Sequence, residues 1–172
     1  MSEGVPQAEL REATVFRADA DHEGKCRRCG ISCHMAIPSD RHGLVAVPGL
    51  RCQFLEQEPD GRFGCSVYLD RFARAPWCHH ADEAAPLGYL ASDCPYGTPP
   101  GLGKVRLPDD EFDRVWPEML RKMRSWGVPI YVHREALLAE VRRRTGLAYE
   151  LEPWPGDPER LRLRGPRPLE LP

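Results

Sequence analysis

The sequence predicts an α+β fold: a small, loop-rich domain with short strands, nucleated by metal, and a helical C-terminal region. Three observations lead there. The chain of 172 residues carries 15 glycines and 18 prolines, and that much punctuation keeps elements short and favours turns. All seven cysteines fall between Cys26 and Cys94. Beyond them, apolar residues recur at three- and four-residue steps, the period of a helix buried on one face.

The bulk composition sets outer limits. With 41% hydrophobic and 29% charged residues the chain is globular, long enough for one domain with a core. Aromatics are only 8%, so a small apolar core calls for help from another source, and metal is the obvious candidate. The net charge of -2 does not demand a nucleic acid or an anionic membrane. No stretch approaches the roughly 18 apolar residues of a membrane span. Met1 to Gln7 lacks the basic and apolar regions of a secretory signal, so the expected compartment is the cytoplasm. There the cysteines stay reduced and read as metal ligands or redox groups, not disulfide staples.

Four segments follow in order. Residues 1–25 form a polar leader with one apolar stripe at Leu10, Ala13 and Val15. Residues 26–103 form the cysteine-cluster domain, closed by a Pro/Gly-rich linker from Ser92 to Gly103. Residues 104–152 form a helical region packed on it. Asp109 caps a helix running to Trp126, with Phe112, Val115, Trp116, Met119, Leu120, Met123 and Trp126 on one face. Acidic residues at its start and basic residues at its end suit the helix dipole. Pro117 should kink or split it, and Gly127 should stop it. Val128 to Val132 reads as a short strand, Arg134 to Thr145 as a second amphipathic helix ended by Gly146, and Leu147 to Leu151 as another strand. Residues 153–172, rich in Pro, Gly and Arg, read as an extended tail.

The cysteines come in five elements. Cys26-Arg-Arg-Cys29-Gly30 places two thiols three apart with a glycine after the second, the pattern of a metal knuckle in which backbone N–H groups turn toward sulfur. Cys33 and His34 follow closely. Arg27, Arg28 and Lys25 beside these thiols favour thiolate. Cys52 in Arg51-Cys52-Gln-Phe-Leu55 and Cys65 in Gly64-Cys65-Ser-Val-Tyr68 read as two strands of a hairpin, with Glu58-Pro-Asp-Gly61 as the turn. Cys78 follows Arg71-Phe72-Ala-Arg-Ala-Pro-Trp77, and Cys94 sits in Asp93-Cys94-Pro-Tyr96.

Taken together, CRRCGISC, RCQFL, GCSVY and RFARAPWC resemble, in that order, the YkgJ-like cysteine-cluster family, described as a zinc- or iron-chelating domain. The run from Arg71-Phe72 through Cys78 to Tyr89-Leu90 and Cys94-Pro-Tyr96 is similar to its YcgN-like branch. The resemblance covers about 70 residues and does not reach residues 105 to 172. One position departs from the family's opening CxxCxxCC: Ser32 stands where a cysteine is expected, which leaves seven thiols, with His34 as a candidate eighth ligand.

The candidate metal ligands are therefore Cys26, Cys29, Cys33, Cys52, Cys65, Cys78, Cys94 and His34. Eight such donors fill two closed four-coordinate zinc sites, so the expected cofactor is about two zinc ions. The alternative is iron or an iron–sulfur cluster, which takes four thiolates and leaves the others over. The expected function is metal binding that stabilises the fold, with a scaffold or metal-handling role. The alternative is an iron–sulfur or metal-dependent enzyme with an open coordination position near Ser32. A third reading is a zinc-ribbon-like module that binds nucleic acid through its arginines. The acidic residues among Arg142, Arg143, Arg144, Arg160, Arg162, Arg164 and Arg167 speak against nucleic acid as a partner. Metal ions are the expected partners, and a protein partner is left unidentified. His79 and His80 read as loop imidazoles, because adjacent residues rarely both face one metal. His22, His42 and His133 have no evident companion ligand.

Overall fold

The computed structural model describes residues 25–166 and has an α+β architecture built from short strands in three small sheets. The leader, with its stripe and His22, and residues 167–172 lie outside the described part. The chain divides into two compact units, and neither is continuous in sequence. The first takes the residues up to Cys33 together with Phe54–Lys104, and the second takes His34–Gln53 together with everything from Val105 onward. The single block expected over residues 26–103 is thus interrupted: its segment 34–53 belongs with the C-terminal half.

In the second unit, β1 (His34–Ser39) and β2 (Gly43–Arg51) form an antiparallel hairpin, and the short β5 (Lys104–Val105) joins their sheet. Helices α3 (Asp109–Trp126) and α4 (Arg134–Thr145) follow, with the two-residue β6 (Val128–Pro129) between them. The chain then makes β7 (Glu150–Trp154) and β8 (Asp157–Arg164), and a second sheet runs in the order β6-β8-β7. The first unit holds a 3₁₀ turn at Ile31–Cys33, a second hairpin of β3 (Leu55–Gln57) and β4 (Phe63–Cys65), and two one-turn helices, α1 (Arg71–Arg74) and α2 (Ala81–Ala84).

The apolar core lies in the second unit. Ile37, Val45, Val47 and Leu50 from the first hairpin meet Phe112, Val115, Trp116, Met119 and Met123 of α3, Leu137 and Val141 of α4, and Leu161 and Leu163 of β8. The helical stripe read from sequence is therefore the core face of α3, except that Trp126 at its end stays exposed. Pro117 does not split the helix, which runs unbroken over 18 residues. A proline inside a helix costs about 3 kcal/mol. Buried side chains before and after Pro117 hold both halves to the same core and offset that cost. Gly127 ends α3 with a φ of 74°, and an added Cβ there would stand 2.8 Å from the Trp154 ring and 2.9 Å from the Leu161 carbonyl oxygen.

Three further features differ from the sequence reading. The strand expected over Val128 to Val132 shrinks to two residues, and the one expected at Leu147 to Leu151 shifts to Glu150–Trp154. The tail expected from residue 153 instead contributes β8, the middle strand of its sheet. Its Arg160-Leu161-Arg162-Leu163-Arg164 run alternates, with both leucines buried and the arginines turned away from the core.

Lys122 pins β1 to α3: its ammonium donates to the Pro38 carbonyl at 2.6 Å and pairs with Glu118, which also accepts from the Asp40 N–H. Arg144, its side chain 1% exposed, lies over the rings of Phe112 and Trp116 and pairs with Asp109, Asp113 and Glu140.

Candidate metal centre

The first unit has little apolar material to hold it together. Among the described residues its buried apolar ones are Ile31, Leu55, Val67, Ala75, Ala84, Ala85, Leu90 and Ala91, half of them alanine and none aromatic. It does hold six of the seven cysteines, and all seven are thiols.

The segment from Cys26 to Gly30 makes a turn with one N–H aimed at sulfur. The N–H of Arg28 donates to Cys26 Sγ at 3.4 Å. Arg28 has a φ of 53° and Gly30 a φ of 70°. A left-handed arginine is a strained position, costing on the order of 1 kcal/mol. Its backbone and side chain are both tied down. The Arg28 carbonyl accepts from the Phe63 N–H at 2.9 Å, its Nε donates to the Phe63 carbonyl at 3.2 Å, and its guanidinium pairs with Glu58. A Cβ on Gly30 would meet the Phe63 ring at 2.7 Å, so the knuckle sits flat on the strand that ends in Cys65.

A second turn of the same kind surrounds Cys94. The backbone of Tyr96, again two residues on, hydrogen-bonds the Cys94 thiol. The N–H of Gly97 donates to the Cys94 carbonyl at 2.9 Å, with Gly97 at a φ of 82°. Burial pushes the Cys94 thiol up, the Tyr96 hydrogen bond opposes it, and charge at Cys29 and Cys26 adds to the rise. Arg27 joins the two turns: its guanidinium donates to the Asp93 carboxylate at 3.0 Å and to the Asp93 carbonyl at 2.8 Å.

Both arginines of this turn are engaged by carboxylates, Arg27 by Asp93 and Arg28 by Glu58, and the charge of Arg27 also opposes the rise at Cys94. A buried cation, which the sequence reading passed over, stands near Cys33. Lys104, 7% exposed, donates to the carbonyls of Ser32 at 2.9 Å and Ile31 at 3.4 Å. Burial pushes its ammonium down to about 8, and charge at Cys33 acts the other way. Its only sequence signal was its place at the end of the Pro/Gly linker. The Ser32 hydroxyl donates to Cys33 Sγ at 3.9 Å, so the residue at the expected cysteine position touches the neighbouring sulfur.

The remaining candidates divide between the units. Cys65 ends β4 opposite Leu55, and Cys78 closes a turn in which its N–H donates to the Ala75 carbonyl. Cys52 is not in the β3–β4 hairpin as expected. It is buried in the second unit, bridged to Val132 and flanked by hydrogen bonds between Gln53 and Tyr131 and between His133 and Arg51. The hairpin is short enough to close at Leu55, while Cys52 continues the line of β2. His34 is buried, also in the second unit, opposite Arg51. His133 caps α4 by accepting the Ala136 N–H, and the His80 N–H, at the start of α2, donates to Glu83. The His79 ring lies tilted against Tyr89, and His42 faces Glu111 at 3.6 Å.

Among the described residues, no group of three or more His, Cys, Asp or Glu side chains is arranged to hold a metal ion. The backbone turns and their bridges bring cysteine-bearing segments together, but the side chains stand outside coordinating geometry. No family model, no curated protein and no solved structure matches the chain. No helix among the described residues is long and apolar enough to cross a membrane.

Proposed function

We propose that the first unit is a metal-binding cysteine cluster whose metal stabilises the fold, serving as a scaffold or in metal handling, in keeping with its resemblance to the YkgJ-like family. The observation that carries this reading is the pair of N–H···S turns at Cys26 and Cys94, joined through Arg27 and Asp93. Backbone N–H groups aimed at sulfur lower the cost of a thiolate, and thiolate is the form that binds metal. Coordination requires the thiols to draw closer than they stand. A bound cation supplies that attraction and reverses the upward push on Cys94.

Cys26, Cys29 and Cys94 form the nucleus of the proposed site, with Cys33, Cys65 and Cys78 as the other donors of the unit. Six thiols suffice for one closed four-thiolate site within this unit. A reduced, cytoplasmic setting fits thiols at this density. The nucleic-acid reading loses support because Arg27 and Arg28 are already occupied by carboxylates.

The test is purification without oxygen from iron-replete cells, followed by an absorption spectrum with metal and sulfide analysis. The expected product is colourless and carries zinc. A brown protein with iron and acid-labile sulfide would favour the iron–sulfur enzyme instead, and a metal-free protein of unchanged stability would remove the proposal.

A further inference from the structure

An open groove of about 820 Å³ lies between α3 and β8 in the second unit. Four of its ten lining residues are arginines, Arg121 and Arg124 from α3 and Arg162 and Arg164 from β8, and none is acidic. Leu120 and Leu163 lie among them. Arg121 and Arg124 are exposed, one turn apart, and have no acidic partner among the described residues. Arg162 and Arg164 share the carboxylate of Glu152, at 3.1 and 3.0 Å. The Arg162 Nε is nevertheless buried without an acceptor, and such a donor gains when a ligand supplies one.

We propose that this groove docks an acidic peptide segment of a partner protein. Guanidinium forks match carboxylates in pairs, and Arg clusters are a recurrent means of reading acidic motifs. The wall already shows the chemistry, since two of its four arginines hold a carboxylate. Leucines between the charges suit a peptide that alternates acidic and apolar side chains. A single-stranded nucleic acid needs aromatic platforms for its bases, and no aromatic side chain lines the groove. A net charge of -2 also opposes a polyphosphate over the rest of the molecule.

The experiment is fluorescence anisotropy of the full chain with a labelled peptide alternating Glu and Leu, a control with Gln for Glu, and a labelled oligouridylate. The acidic peptide should bind in a salt-sensitive manner and the control should not. The double variant Arg121→Gln, Arg124→Gln should weaken binding about tenfold, the scale of two surface ion pairs, with its circular dichroism unchanged. Glu152→Gln should tighten binding severalfold by releasing Arg162 and Arg164. The proposal is overturned if the acidic peptide fails to bind, if the control binds equally, if the double variant binds as well as the parent, or if oligouridylate binds more tightly.

Discussion

Arg27 grips Asp93 through both its carboxylate and its carbonyl, and so ties the Cys26–Cys29 turn to the residue that precedes Cys94. An exposed ion pair contributes little stability by itself. In the proposed site its value lies in orienting ligands, and loss of such an outer partner typically lowers metal affinity about 10- to 100-fold. Arg27→Ala and Asp93→Ala should each weaken zinc binding on that scale, and the double variant should be little worse than either. Competition with a chromogenic chelator measures all three, and fully additive effects would show that the bridge does not act as a unit.

Under the proposed function chelation should be selective, because six of the seven thiols lie outside the unit that carries the apolar core. Structural zinc contributes on the order of 10 kcal/mol to small metal-dependent folds. A strong chelator should therefore release the first unit while α3, α4 and β8 keep their protection. Hydrogen exchange read by mass spectrometry resolves the two, with fast exchange expected over residues 54–104 and slow exchange over the core residues of α3. Uniform loss or uniform retention of protection counts against the metal-stabilised unit.

Cys29 and Cys52 should respond differently to serine. Cys29→Ser removes a donor from the knuckle and should cost a bound metal and much soluble protein. Cys52 is 8% exposed within the second unit, so Cys52→Ser should cost about 1–3 kcal/mol for burying a hydroxyl, while the metal held by the first unit stays bound. Metal content per chain beside a urea midpoint separates these outcomes.

Acid should attack the second unit through α4. Burial alone would push the Glu140 carboxyl up, but hydrogen bonds from Arg143 and Arg144 hold it below its ordinary 4.5. A hydrogen bond from Arg144, followed by the charge of Arg143, holds Asp109 below 3.8. Both groups have depressed values in the folded state. The stability they contribute is complete above their unfolded values and drains away as pH falls through the folded ones. Urea midpoints should hold steady down to about pH 4.5 and then fall, and Glu140→Gln should flatten that fall. Arg144→Met, which leaves Glu140 with Arg143 as its remaining partner and takes the guanidinium from Asp113, should cost about 1–3 kcal/mol at neutral pH.

Much of the second unit could be read from periodicity, because local rules govern it. The core stripe of α3 and the stop glycines at 127 and 146 need only neighbours along the chain. β8 escaped because its alternation lasts five residues and sits among Pro, Gly and Arg that suggest a tail. The knuckle was legible, but the partners of its arginines lie 66 and 30 residues away, and no local pattern points to them. Cys52 shared a motif with Leu55 and yet follows β2 into the other unit. A sequence motif does not disclose where the chain crosses between packed bodies.

The interleaving of the units has a consequence for synthesis. The first hairpin leaves the ribosome early, but its apolar residues Ile37, Val45 and Val47 are covered only by α3, α4 and β8, which come much later. Until then it is an unfinished surface of the sort chaperones hold. The cysteine-rich unit, by contrast, is fully translated at Lys104, while the second unit is still waiting for its middle strand.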